Sequence, residues 1–195
     1  MTKYSSFAEL ARHEAVGKDF RVRLLERADS PVVIVAPHGG MIEVGTSEIA
    51  GLIAGTDYSL FCFEGLKSHG QNRDLHITSH CFDHPECLAL AARREIVLSV
   101  HGCMGRAQIF VGGLDVELTE RLSNELDVAG FTVVSDGHKY PGRHPLNICN
   151  RGLRRKGAQL EITYDLRAAE YRATIARSAR AAIAGFTESL VRTQR

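Results

Sequence analysis

Residues 31–48, PVVIVAPHGGMIEVGTSE, decide the fold, because they join an apolar strand to a polar loop and then to a helix. The run Val32–Val35 is typical of a strand that is buried on both faces. His38, two glycines and Glu43 follow it directly, and Thr46-Ser47 supplies a hydroxyl N-cap for the next helix. Open α/β sheets bind ligands beyond the carboxyl ends of their strands, so this loop is a predicted site.

The composition indicates one soluble domain, because 44% of the 195 residues are hydrophobic and 24% are charged. The net charge of +1 provides no overall attraction for nucleic acid or membranes. Five cysteines form no CxxC pair and are odd in number, which favours reduced thiols in a cytosol. No segment resembles a signal peptide or a membrane span. We therefore expect a cytoplasmic monomer with neither nucleic acid nor membrane as partner.

Strands alternate with helices along the whole chain, and this alternation predicts the fold class. We expect an α/β fold in a single domain over residues 1–195, with a mixed, mostly parallel sheet and helices on both faces. The predicted strands are residues 20–25, 32–36, 58–63, 95–100, 109–111, 131–134 and 159–163. The predicted helices are residues 4–13, 46–54, 84–93, 114–129 and 167–192.

A second apolar strand also ends in histidine and glycine, at His101-Gly102. His38 and His101 are therefore expected at the same edge of the sheet, with Glu43 nearby. Two imidazoles and one carboxylate provide the three protein ligands of a catalytic zinc site and leave one position for water. The alternative interpretation is a loop histidine and a solvated glutamate.

Glu161 lies inside the apolar strand QLEIT, where a carboxylate is costly unless it is paired or faces a cleft. Alternation places Leu160 and Ile162 on one face and Glu161 on the other. We interpret Glu161 as a general base whose pKa is raised by partial burial. The alternative is an edge strand with one hydrated face.

The second long loop, residues 136–157, carries histidines, lysines and arginines, and residues 138–156 contain no acidic residue. Arginine binds carboxylates with two parallel hydrogen bonds, so this loop predicts an anionic substrate. The candidate substrate-binding residues are Arg151, Asn150, Asn147 and Arg143, with His76 from the first long loop. A nucleic-acid-binding protein is a rival, but Tyr140 is the only aromatic residue among these cations, which leaves little for base stacking.

The motifs APHGGMIEVGTSEIA, YSLFCFEG, DLHITSHCFDHP, SVHGC, VGG, NICNRG and QLEIT occur in this order. Together they closely resemble the phage-encoded poly-γ-glutamate hydrolase family over roughly residues 30 to 165. The resemblance implies a compact relative of zinc carboxypeptidases that hydrolyses γ-glutamyl amide bonds. It implies zinc held by His38, Glu43 and His101, with Glu161 as the catalytic carboxylate. A phage-type enzyme can also leave the cell by lysis.

Two departures separate this chain from the carboxypeptidase pattern. Four residues, rather than two, separate His38 from Glu43, so the loop must bulge. The pair Asn150-Arg151 follows the last zinc histidine, whereas Asn72-Arg73 precedes it, so either pair is a candidate carboxylate clamp. PHGG also resembles N-formylglutamate amidohydrolases, which makes a deacylase of small N-acyl amino acids a second rival.

Overall fold

The computed structural model describes residues 2–68 and 70–193, the last without its side chain, and its centre is a seven-stranded sheet. Met1, His69, Gln194 and Arg195 lie outside the described residues. The strands are β1 (Phe20–Leu25), β2 (Val32–Gly40), β3 (Ser59–Gly65), β4 (Ile96–Cys103), β5 (Gln108–Gly113), β6 (Thr132–Val134) and β7 (Ala158–Thr163). The helices are α1 (Phe7–Leu10), α2 (Thr46–Ala54), α3 (Pro85–Ala91), α4 (Val116–Val128) and α5 (Ala169–Thr193).

The strands lie in the order β1-β3-β2-β4-β7-β5-β6. The neighbours β3-β2, β2-β4, β4-β7 and β5-β6 are parallel, whereas β1 and β5 run antiparallel to β3 and β7. The predicted mixed, mostly parallel sheet is thus confirmed. The central strands β2, β4 and β7 have their carboxyl ends side by side, and this edge carries the site residues.

Each face of the sheet is covered by its own apolar layer. Val32 and Ile34 face a core formed with α2, α4 and α5, whereas Val33 and Val35 face a core formed with α1, α3 and residues 75–82. This alternation explains why β2 is apolar at every position and confirms the prediction of helices on both faces. Across the described residues, we find no helix with the length and hydropathy of a membrane span.

A β-bulge at the end of β2 determines where His38 points. Ala36 pairs with Cys62 and Gly39 with Glu64, so β2 contains one more residue than β3 over this interval. An extra residue bends a strand and re-aims its side chains. Gly39 is required there, because a Cβ atom would lie 2.0 Å from the Ser47 hydroxyl oxygen.

Two local predictions differ from the structure. The N-cap of α2 is Gly45, with φ +96°, and not a hydroxyl residue. Thr46 instead donates to the carbonyl oxygens of Glu43 (2.8 Å) and His38 (3.3 Å), which closes the loop that carries both residues. Helix α1 spans Phe7–Leu10 rather than residues 4–13, because Ser6 caps its start and turns follow Leu10.

Candidate active site

Three potential metal ligands meet at the carboxyl ends of β2 and β4. The Nδ1 atom of His38 lies 3.3 Å from Oε1 of Glu43 and 3.2 Å from Nδ1 of His101. Both imidazoles are buried, and the Glu43 side chain is 14% exposed. The strand ends therefore bring together the three residues that the sequence predicted as metal ligands.

The other polar atoms of these side chains are held by the surrounding backbone and loop. Nε2 of His38 lies 2.6 Å from the carbonyl oxygen of Ile77, which makes Nε2 the donor, so that in the neutral ring Nδ1 carries the lone pair. Oε2 of Glu43 accepts from the Gly102 amide at 2.7 Å. The Ser79 hydroxyl lies 3.4 Å from Nε2 of His101. Such outer contacts fix the orientation of metal-binding side chains.

His76 is a further imidazole at this centre, although its sequence position suggested only substrate binding. Its ring is stacked on that of His38, with centroids 3.9 Å apart, and its Nε2 lies 3.5 Å from Oε1 of Glu43. The ligand atoms of His38, Glu43 and His76 all lie within 4.8 Å of one another. The cluster therefore offers two overlapping ligand sets, which share His38 and Glu43 and differ in His76 or His101.

The electrostatics of the cluster pair an anionic Glu43 with a cationic His38 and a neutral His101. Burial alone lowers the pKa of His38, but the adjacent Glu43 outweighs burial and raises it. Burial alone raises the pKa of Glu43, but the adjacent His38 outweighs burial and holds that pKa well below its ordinary value. Burial and the nearby His38 together lower the pKa of His101 to about 3. Imidazoles bind metals in their neutral form and carboxylates in their ionised form, so a metal ion at this position would displace the proton of His38.

Glu161 lies beside His101 on the same face of the sheet, since the two residues are paired in register between β4 and β7. Burial raises the pKa of Glu161 well above its ordinary value, and the negative charge of Glu43 acts in the same direction. Arg167 and Lys139 act in the opposite direction. The alternative of a hydrated edge strand is wrong, because β7 is interior to the sheet, between β4 and β5.

A cavity of about 1000 Å³ opens next to this cluster. The cavity is lined by the site residues Glu43 and His76, by the cations Arg73 and Arg167, and by Met41 and Met104 from an apolar rim. Of the two candidate clamp pairs, the structure brings Asn72-Arg73 to this cavity.

The structure does not bring Asn147 and Asn150 to the cavity. Asn150 accepts from the amides of Leu114 and Gly157 and donates to the carbonyls of Gly142 and His144. Asn147 caps a short 3₁₀ turn, Ile148–Asn150, and donates to Gln159. Both amides are buried and have these protein partners, so a structural role accounts for them.

Arg151 and Arg143 also lie away from the Glu43 cavity. The residues after Arg151 contact the Arg94 carbonyl, so the chain at Arg151 runs beside the start of β4. His101 lies near the other end of that strand. Arg143 lines a separate cavity of about 750 Å³ next to α4. In the same loop, Arg154 pairs with the buried Asp115 at 2.6 Å.

The sequence analysis missed Arg167, which follows β7 at the same edge of the sheet. Its guanidinium group packs directly over Gly102 and lines the cavity with Glu43. A cation shortly after the strand that carries Glu161 was the available signal. A single arginine after a strand is too common a pattern to single out this position.

The fold has counterparts among known proteins. Residues 4–190 match the family model described as poly-gamma-glutamate hydrolase, so the chain belongs to that hydrolase family. Among curated relatives, the SPbeta prophage-derived protein YoqZ of Bacillus subtilis (strain 168) is 37% identical over 168 residues, which are 85% of this chain and 60% of YoqZ. YndL of the same strain is 40% identical over 167 residues, which are 84% of this chain and 65% of YndL. The chain thus spans less than two thirds of either relative.

Two solved structures have the same fold over nearly the whole chain. A bacteriophage poly-gamma-glutamate hydrolase superposes with a TM-score of 0.92 at 26% identity, covering 96% of this chain and 99% of the other. A structure of YndL described as apo and zinc-free superposes with a TM-score of 0.83 at 35% identity, covering 96% and 98%.

More distant matches show the fold alone. An N-formylglutamate amidohydrolase from Ralstonia eutropha JMP134 superposes with a TM-score of 0.59 at 15% identity, covering 90% of this chain and 99% of the other. A carboxypeptidase A-type protein from Shewanella denitrificans OS-217 superposes with a TM-score of 0.55 at 12% identity, covering 86% and 60%. These matches bear out the expected carboxypeptidase-like architecture.

Proposed function

We propose that this chain is a zinc-dependent amidohydrolase that cleaves γ-glutamyl amide bonds of poly-γ-glutamate or a related acidic substrate. The observation that carries the proposal is the convergence of His38 Nδ1, His101 Nδ1 and Glu43 Oε1 next to Glu161, in a member of a hydrolase family. We assign the metal to His38, Glu43 and His101, with His76 as their immediate neighbour.

Two separations within the proposed donor set fit zinc. Nitrogen and carboxylate ligands at the bond lengths of tetrahedral zinc lie about 3.3 Å from one another. The separations of 3.3 Å between His38 and Glu43 and 3.2 Å between His38 and His101 agree with this spacing. Zinc at this position would polarise the scissile carbonyl and lower the pKa of an attacking water. The Gly102 amide and the Ile77 carbonyl hold Glu43 and His38 in position for it.

Glu161 would accept the proton of the attacking water and later deliver it to the leaving amine. A carboxyl group whose pKa is raised by burial can hold a proton between these two steps. Its place on β7, beside His101 on β4, puts it next to the metal ligands but not among the proposed three. The sheet register supports this separation of roles.

The cavity supports an acidic, extended substrate. Among the described residues, the lysines and arginines that line the cavity are Arg73 and Arg167. Such cations suit the carboxylates of a glutamate polymer. The rim residues Met41, Val44 and Met104 are exposed, and their apolar side chains suit the methylene groups between those carboxylates. An open cavity of about 1000 Å³ also accommodates more than one glutamyl unit.

The test combines metal analysis with hydrolysis of γ-linked glutamate polymer by the purified protein. We expect about one zinc per chain and chain-length reduction of the polymer. Glu161→Gln should keep the zinc and lower kcat by ~10²- to 10⁴-fold, the usual contribution of a general base. Glu170→Gln, on the exposed start of α5, is the matched control.

Three results would change the assignment. Full activity of Glu161→Gln would remove Glu161 from the proton-transfer role. Zinc binding by His101→Ala at wild-type affinity would remove His101 from the ligand set. Cleavage of N-formylglutamate but not of the polymer would reassign the protein to the deacylases of small N-acyl amino acids.

A further inference from the structure

Arg167 is a buried cation that lacks a close acidic partner. It is 6% exposed, and its Nη1 donates to the Val44 carbonyl at 2.8 Å. Its Nε is buried without a hydrogen-bond partner. Within the described part of the chain, no carboxylate lies at ion-pair distance from its guanidinium group. A buried charge in this state is costly unless a ligand of opposite charge completes the site.

Arg94 shows what a structural buried arginine looks like in the same molecule. It is 4% exposed, and its Nη2 pairs with Glu26 at 2.8 Å. The same Nη2 also donates to the Arg27 carbonyl, while Nη1 donates to the Arg93 carbonyl and Nε to the Ser59 hydroxyl. Arg94 and Arg167 are about equally buried, but Arg94 forms an ion pair and several hydrogen bonds that Arg167 lacks. The protein alone therefore does not complete the environment of Arg167.

The guanidinium group of Arg167, which carries the unpartnered nitrogen, lies at the candidate active site. A Cβ atom at Gly102 would lie 2.4 Å from Nη1 and 2.9 Å from Nε of Arg167, so only glycine leaves room for the guanidinium group there. The Gly102 amide is itself 2.7 Å from the Glu43 carboxylate. The charge of Arg167 thus lies next to the proposed metal ligands, in the wall of the same cavity.

We propose that Arg167 binds the α-carboxylate of the glutamyl residue whose nitrogen leaves in the reaction. This inference rests on the proposed γ-glutamyl hydrolase function and names the residue that recognises its substrate. In a γ-linked polymer that carboxylate is attached to the carbon next to the scissile nitrogen, so it stays close to the metal ligands during cleavage. A guanidinium group can bind a carboxylate through two nitrogens at once, and the Nε of Arg167, although buried, donates no hydrogen bond within the described residues.

The test pairs two substrates with three enzymes and one competing variant, Arg151→Met. The substrates are γ-glutamyl-glutamate and the same dipeptide with the α-carboxylate of the second residue converted to a carboxamide. The enzymes are the wild type, Arg167→Met and Arg167→Lys, and the measured quantity is the ratio of kcat/KM for the two substrates. A ratio within one enzyme does not depend on how much of a variant is folded.

We expect the wild type to prefer the carboxylate substrate by about tenfold to a hundredfold, the usual effect of a charged hydrogen-bonded pair. Arg167→Met should abolish the preference, and Arg167→Lys should keep part of it because a lysine retains the charge without the planar fork. Arg151→Met tests the competing assignment, because it removes the guanidinium group that the sequence pattern predicted for substrate binding.

A preference that survives in Arg167→Met, or that disappears in Arg151→Met instead, would overturn the inference. An equal fall for both substrates in Arg167→Met would also overturn it, because it would assign the residue to a group that both substrates share.

If the wild type cleaves neither dipeptide nor polymer, the proposed function fails, and calorimetric titration with glutarate then tests the anion site by itself. Binding that is lost in Arg167→Met, with zinc content unchanged, supports the site. Equal binding by both proteins contradicts it.

Discussion

Two long connections of similar polar character contribute differently to the candidate active site. The first connection, residues 66–84 between β3 and α3, directs the His76 ring, the Ile77 carbonyl and the Ser79 hydroxyl at the His38 cluster. The second connection, residues 135–157 between β6 and β7, uses the amides of Asn147 and Asn150 for its own hydrogen bonds.

The contrast shows that composition alone does not identify the functional loop. The second connection has the more suggestive sequence, rich in arginine and free of acids from residue 138 to 156, yet Arg151 lies away from the Glu43 cavity. The first connection has fewer distinctive residues but crosses the carboxyl edge of the parallel strands. Position relative to that edge, rather than charge density, decides which loop reaches the site.

Removing Asn150 should have the largest effect, and the effect should be on stability. Asn150→Ala deletes four hydrogen bonds within a buried environment and leaves their backbone partners unsatisfied. We expect a loss of ~3–5 kcal/mol in the free energy of unfolding, measured by urea denaturation. Asn124→Ala, on the exposed side of α4, is the control. Unchanged stability combined with a raised KM would return Asn150 to substrate binding.

Removing His76 should affect the metal rather than the fold. Residues that hold metal ligands in position typically contribute ~10- to 100-fold to metal affinity, so we expect His76→Ala to weaken zinc binding by that factor. Competition with a chromophoric chelator measures the affinity. His80→Ala is a matched control, because His80 belongs to the same connection and its ring contacts His144 instead. Abolished zinc binding in His76→Ala, with binding retained in His101→Ala, would favour the ligand set that contains His76.

Acid should loosen the first connection more than the second. The buried Glu14 carboxylate accepts from the Tyr4 hydroxyl and pairs with Lys67, at the start of the first connection, at 2.5 Å. Burial raises the pKa of Glu14, but Lys67 and Tyr4 outweigh burial and lower it. A lowered carboxyl pKa stabilises the fold above the unfolded value of about 4.3, and the contribution disappears as pH falls through the lower folded value.

Glu14→Gln should therefore cost ~1–3 kcal/mol at pH 7 and progressively less below about pH 4. Thermal unfolding of variant and wild type as a function of pH measures the difference. The neutral amides of the second connection do not titrate, so the deficit of Asn150→Ala should not follow this curve. If the stability difference between Glu14→Gln and the wild type stayed constant down to pH 2, the ion pair could not be the cause of that difference.

Much of the fold was predictable because hydrophobic periodicity is local information. The seven strands and five helices were all expected near their observed positions, and β2 was recognisable from Val32–Val35 alone. Helix α1 was overestimated because apolar spacing continues past Leu10, where turns replace the helix. The hydroxyl N-cap of α2 was misplaced because only the three-dimensional loop shows that Thr46 bonds back to Glu43 and His38.

The sequence by itself determined the parallel sheet and the meeting of His38, Glu43 and His101, since residues that follow parallel strands must share one edge. Only the tertiary structure decided that His76 and Arg167 join them while Asn150 is used inside its own loop. The physical reason is that burial and hydrogen-bond satisfaction depend on neighbours distant in the chain. The Nε of Arg167 is unpartnered and the amide of Asn150 is fully bonded because of the folded surroundings of each.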